Sequence, residues 1–264
     1  MTLQITLKQV LNWRKTPRDY DMEFSKFDLP IWPEEFIRGW HIPAKKKVTI
    51  LIVPGFRTNK GLYLELAQAY HNMGFPVTLF DARGQGESKS SINFSFGYYE
   101  VEDIQRIIRA FPGKYALLGF SCGATAGLIA SLAMPNSVAV TIADSAFVSL
   151  KRIKHHSREN PVQRLLMNRL LTMIEKCQER IPGFSEYLNL EQRCQELKKV
   201  LFIHGKNDRT IRWTNSEFMF DKAQYPKQLW LPRQAGHCEA VMRYSEQYLK
   251  ITANFIEKCL LVEE

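Results

Sequence analysis

Apolar residues in this chain follow two periods, and the alternation between them is the main structural signal. Short apolar runs of strand length recur at Lys47–Val53, Pro76–Phe80, Tyr115–Gly119, Val138–Ala143, Val200–His204 and Gln228–Leu231. Between them, apolar residues three and four positions apart mark one helix face over Leu62–Met73, Tyr99–Ala110, Cys122–Ala133, Asn215–Ala223 and Ala240–Cys259. A run such as Val-Thr-Ile-Leu-Ile-Val, without polar alternation, predicts a strand buried on both faces of a parallel sheet. The repeated strand–helix order then predicts an α/β domain, doubly wound and mostly parallel, with helices on both faces. Upstream, Leu3–Trp13 predicts a short helix. Met22–Phe27 alternates like an edge strand, and Phe36–Ile42 is a second strand ended by Pro43, so the two predict a hairpin. The sheet so assembled has eight strands.

One stretch breaks the rhythm. Residues 147–188 stand where a single crossover helix is expected, and they carry apolar residues at 162, 165, 166, 170, 173 and 174 with arginines alongside. We read residues 1–264 as one domain with this segment inserted as a helical cap. The net charge of +9 is concentrated there: Lys151 to Arg180 holds eight basic residues against three acidic ones. Three readings of that charge stay open: a plain lid, a lid whose cations attract an anionic substrate, and a surface making peripheral contact with anionic lipid. No zinc, helix-turn-helix or RNA-binding signature accompanies it, which argues against a nucleic-acid partner. No run of 18 apolar residues occurs. The five cysteines show neither metal spacing nor a disulfide framework, and no secretory leader is evident, so a cytoplasmic location is expected.

The candidate chemistry lies at the carboxyl ends of the predicted strands. Gly119-Phe-Ser-Cys-Gly123 matches G-x-S-x-G between a strand and an Ala-rich helix. A nucleophilic serine must stand on a sharp strand-to-helix turn, where side chains at Gly119 and Gly123 would collide with the neighbouring elements. Ser121 is therefore the candidate nucleophile, and Cys122 N–H, at the helix start, a candidate oxyanion donor. The thiol of Cys122 is off the apex of the turn. His237, in Gln234-Ala-Gly-His-Cys-Glu239, is the candidate base. Asp208, four residues past a strand end, is the candidate for orienting it, with Asp144 as rival. Gly55 lets the loop Val53–Lys60 turn beneath the site and makes Phe56 N–H the second oxyanion donor; Arg57 falls either over the site or on the surface. His204 is expected to be packed or to support the site, His155 and His156 to lie on a solvated face, and Asp81 with Arg83 to fix the loop 81–88.

These motifs, in this order across residues 36–258, resemble the α/β-hydrolase superfamily, and within it the bacterial serine esterases related to prolyl-oligopeptidase-like hydrolases. Ser121, Asp208, His237 is the chain order of that superfamily. One departure is Pro54-Gly55, where many relatives carry His-Gly. The resemblance implies the α/β-hydrolase fold and two-step acyl transfer without metal or organic cofactor. The expected substrate is a small-molecule carboxylic ester or thioester, neutral or anionic. Two alternatives are carried: an acyl-peptide or peptide hydrolase, and a non-catalytic binding protein on a hydrolase scaffold.

Overall fold

The computed structural model describes residues 15–91, 95, 97–154, 169, 172 and 190–261. Its strands are β1 (Ser25–Trp32), β2 (Glu35–Ile42), β3 (Val48–Val53), β4 (Val77–Phe80), β5 (Lys114–Phe120), β6 (Val138–Asp144), β7 (Val200–Ile203) and β8 (Lys227–Trp230). They form one eight-stranded sheet in the order β1-β2-β4-β3-β5-β6-β7-β8. β1 and β2 run antiparallel to each other and β2 runs antiparallel to β4, whereas β3 to β8 are mutually parallel. The helices, in chain order, are α1 (Leu64–Asn72), α2 (Tyr98–Ala110), α3 (Cys122–Ala133), α4 (Leu150–Lys154), α5 (Leu190–Arg193), α6 (Thr214–Lys222), α7 (Ala240–Arg243) and α8 (Ser245–Leu261).

Successive residues of one strand serve two cores. Ile50 and Ile52 of β3 pack with α1 and α8, while Leu51 and Val53 pack on the opposite face with α2 and α3. All four are essentially buried, which explains why the run carries no polar alternation. Burying each such side chain contributes about 1.5–3 kcal/mol relative to leaving it in water. α2 shows the matching helical pattern, burying Val101, Ile104, Ile107 and Ile108. Glu100 closes its N-terminus by accepting the Ser95 and Gly97 amides.

The strand order sets the position of the site. From β3 the chain moves outward to β4, then crosses back to place β5 on the other side of β3. Loops leaving the carboxyl ends of β3 and β5 therefore diverge from a crevice at the reversal of strand order, where ligands bind in open α/β sheets.

Three details differ from the expectations. β1 begins at Ser25 rather than Met22 and runs on to Trp32 through Pro30. On an edge strand the missing proline N–H removes no ladder bond on the open side. The helix expected from Leu62 starts as a 3₁₀ turn over Lys60–Tyr63. The closing helix breaks at Tyr244, whose ring packs edge-on against Trp230. The Leu3–Trp13 helix lies outside the described residues, as do His155, His156 and most of the 147–188 cap. No helix among the described residues is long and apolar enough to cross a membrane.

Candidate active site

β5 ends in a turn that only small neighbours permit. Ser121 sits between strand and α3 with φ +55 and ψ −119, a conformation costing about 1–3 kcal/mol for a non-glycine residue. A Cβ at Gly119 would come within 2.5 Å of Ala124 Cα, and one at Gly123 within 2.4 Å of Pro54 O. Both obstacles are backbone, so these glycines are required by close approach. The strain is held by the ladder: Ser121 N–H donates to Asp144 O at 2.8 Å.

Three segments distant in sequence meet at this turn. His237 Nε2 lies 2.9 Å from Ser121 Oγ, and its Nδ1 lies 2.7 Å from Asp208 Oδ2. Asp208 comes from the loop after β7 and is nearly buried; its Oδ1 accepts the Thr210 and Ile211 amides, both at 2.8 Å. Burial alone would raise its pKa. The hydrogen bonds and charges of His204 and His237 outweigh burial and hold the carboxyl well below the usual carboxylate range. With Asp208 an anion that only accepts, Nδ1 of His237 carries the proton, and a neutral ring presents an unprotonated Nε2 to the Ser121 hydroxyl. Burial opposes charge on His237, yet Cys238 and Asp208 push its pKa well above the ordinary histidine value. Burial also raises the Cys238 thiol, keeping it neutral near pH 7, so Asp208 is the partner we hold responsible.

The rival acid stands elsewhere. Asp144 is buried at the end of β6, its Oδ1 accepting the Ser145 hydroxyl at 2.9 Å, and among the described residues it makes no hydrogen bond to the His237 ring. Burial pushes its pKa up to about 6, with the Ser145 bond opposing. Cys122 is likewise unsuited to act through sulfur, since burial raises its thiol to about 12.

The loop after β3 closes the crevice from the other side. A Cβ at Gly55 would approach Phe120 O to 3.2 Å and Ser121 Cβ to 3.7 Å, which places this loop against the serine turn. Its shape rests on a chain of hydrogen bonds. Gly55 N–H donates to the Tyr63 hydroxyl (3.3 Å), Tyr63 donates to Thr58 Oγ1 (3.2 Å), and Thr58 donates to Gly55 O (2.7 Å). The Tyr63 ring stacks on Phe120, beside the serine. Phe56 follows Gly55 on this loop, and the Arg57 guanidinium lies 5.5 Å from its ring centroid, exposed at the surface.

His204, expected to be packed or to support the site, does both: it is fully buried with Nε2 3.2 Å from Asp208 Oδ2. One support went unseen in the sequence. Lys60 reads as a loop lysine but is 3% exposed and bonds Asp81 through both its amide and its ammonium. Asp81, expected with Arg83 to fix the loop 81–88, accepts the Glu87 amide at 2.8 Å, while Arg83 forks onto Asp103 of α2 at 2.6–3.0 Å. Only the strand-end position of Asp81 hinted at such a buried partner.

The fold has counterparts. A family model described as the α/β-hydrolase fold matches residues 48–172. The Pyrococcus furiosus esterase Pf2001 superposes with a TM-score of 0.74 at 19% identity, covering 93% of this chain and 96% of that one. The chain has the α/β-hydrolase fold. A monoacylglycerol lipase from Paleococcus ferrophilus shares the fold at a TM-score of 0.63 and 17% identity, over 89% and 99% of the two chains. In sequence, the chain is 26% identical over 247 residues to the protein YqkD of Bacillus subtilis (strain 168), covering 89% of this chain and 80% of YqkD.

Proposed function

We propose that this protein is a member of the α/β-hydrolase superfamily and a serine hydrolase cleaving carboxylic esters or thioesters through an acyl-enzyme. The observation carrying the reading is the continuous relay from Ser121 Oγ through His237 to Asp208, at 2.9 and 2.7 Å. His237 Nε2 takes the hydroxyl proton as Ser121 Oγ attacks the acyl carbon, while Asp208 stabilises the imidazolium that forms. The developing oxyanion is received by the Phe56 and Cys122 N–H groups, and losing one such donor costs about 10²–10³ in rate. The imidazolium proton leaves with the alcohol or thiol. Water then gives its proton to His237 and attacks the acyl carbon, and Ser121 recovers its hydroxyl as the acid departs.

The esterase and lipase among the structural neighbours support this substrate class over peptides, and the assembled relay favours it over a binding role. A fluorophosphonate probe should label the wild type and leave Ser121→Ala unlabelled; equal labelling of both removes Ser121 from its role. A chain-length series of p-nitrophenyl acyl esters run against amino-acyl amides assigns the acyl group, and turnover confined to the amides would overturn the ester reading.

A further inference from the structure

We propose that Ser145 is a positioning residue, and that Asp144 and Ser145 together form a clamp holding the nucleophile, the base and the acid-bearing segment in register. The inference rests on the reading of Ser121 and His237 given above, and it explains what keeps three loops together at one point.

Three polar groups of this dipeptide reach different parts of the relay. The Asp144 carbonyl accepts the Ser121 amide at 2.8 Å, fixing the nucleophile's backbone. The Ser145 amide donates to Ile203 O at 2.8 Å, at the end of β7, from which the chain continues through His204 to Asp208. The Ser145 hydroxyl accepts the Cys238 amide at 3.0 Å, which holds the peptide immediately after His237. A serine hydroxyl has one hydrogen and two lone pairs. Its hydrogen goes to Asp144 Oδ1 at 2.9 Å, so a lone pair is turned toward the histidine loop. Asp144 thereby sets the polarity of the contact from one residue away, without touching the imidazole. The Tyr248 hydroxyl also interacts with this carboxyl, and Ser145 gives it the hydrogen bond that fixes Oδ1.

Backbone conformation supports the clamp reading. Ser145 has φ +58 and Cys238 φ +55, both in the region that non-glycine residues enter only when surroundings hold them there. The two residues joined by the 3.0 Å bond are thus both held at positive φ, at the point where the loops after β6 and β8 touch. Ser145 is fully buried, so water does not compete for the bond. Without the hydroxyl, the Cys238 amide is left unpaired and the His237 peptide is released from β6. A displacement of about 1 Å at a catalytic group can cost about 10²-fold in rate.

Two variants separate this role from a general effect on folding. Ser145→Ala removes the hydroxyl and keeps the cost of positive φ; Ser145→Gly removes the hydroxyl and relieves that cost. Both should lower kcat on p-nitrophenyl acetate and the rate of fluorophosphonate labelling by about tenfold or more, with KM within about twofold. The acid limb of kcat/KM should move to lower pH, because a loosened His237 loses part of its contact with Asp208. Ser145→Gly should melt close to the wild type while showing the full kinetic loss. A glycine variant with wild-type kcat, labelling rate and acid limb would overturn the clamp. If the wild type neither turns over ester nor takes the probe, the serine-hydrolase reading falls, and NMR titration of the His237 ring decides the clamp alone. A His237 pKa lower in Ser145→Gly than in the wild type supports it; an unchanged value overturns it.

Discussion

His204 Nε2 lies 3.2 Å from Asp208 Oδ2, the same oxygen that His237 Nδ1 approaches at 2.7 Å. The Ser216 hydroxyl meets His204 Nδ1 at 2.8 Å and Ile211 O lies 2.9 Å from Nε2. A single tautomer satisfies all three partners: Nδ1 accepts, and Nε2–H is shared between the carboxylate and the carbonyl. Asp208 is therefore held by a buried imidazole from behind while it orients a second one in front.

Removing the rear support should affect both activity and stability. His204→Leu leaves the Ser216 hydroxyl and one side of Asp208 unpaired in the interior, at about 1–3 kcal/mol. Thermal melts should show that loss, and kcat/KM on p-nitrophenyl acetate should fall about tenfold as the carboxylate gains freedom. Wild-type kcat/KM in a destabilised variant would show that His204 only packs.

The pH dependence follows from His237. Turnover requires the neutral ring, and the Asp208 carboxylate raises its pKa, so the acid limb of kcat/KM should lie above the ordinary histidine value of about 6.5. Asp208→Asn should move that limb toward about 6.5 and lower kcat by about 10⁴. The stability consequences of the two groups have opposite signs. The depressed Asp208 pKa contributes stability that is present above about 4 and lost as pH falls further, whereas the raised His237 pKa contributes stability present below about 6.5 and lost as pH rises through its folded value. Urea titrations at pH 3, 6 and 9 read both.

Gly123→Ala tests the serine turn. Its new methyl would meet Pro54 O at 2.4 Å and Val53 O at 2.5 Å, neither of which is a movable side-chain end. Overpacking of this kind costs about 1–3 kcal/mol. The variant should melt lower and lose probe labelling together, because the same displacement moves Ser121 and the loop that carries Phe56.

Tyr63→Phe isolates the oxyanion loop. The ring stacked on Phe120 is retained, while Gly55 N–H loses its acceptor and Thr58 Oγ1 its donor. Stability should fall by about 1 kcal/mol. The kinetic loss should appear in kcat with KM little changed, as expected where an interaction acts on the transition state.

Lys60→Met tests the buried pair behind that loop. With side-chain exposures of 3% and 0%, Lys60 and Asp81 are both inside, so removing the ammonium strands a carboxylate. Breaking a buried pair from one side costs about 3–5 kcal/mol. The double change Lys60→Met with Asp81→Leu should recover part of that loss in urea melts.

The parallel core was legible in the sequence because its strands are buried on both sides: runs such as Val48–Val53 and Val138–Asp144 are mostly apolar and carry no polar alternation. Ser121, Asp208 and His237 could be picked out because each follows a strand end, where local pattern and chemistry coincide. β1 was misplaced because its residues are half-exposed on an edge, and alternation there is weak. The break at Tyr244 follows from packing on Trp230, a contact between separate elements that helical periodicity does not record. Lys60 and Ser145 were missed for a related reason. Nothing adjacent to them in sequence reveals the partners, Asp81 and Cys238, that give them their roles.

The buried thiols of Cys122 and Cys194 supply a clock. Burial raises them to about 12 and about 11, so at pH 8 the folded protein exposes almost no thiolate at either position to an alkylating reagent. Iodoacetamide incorporation at these two cysteines, followed peptide by peptide in a mass spectrometer, would therefore count openings of the fold. Comparing the two rates would show whether the serine-bearing helix opens together with the β7 flank or ahead of it.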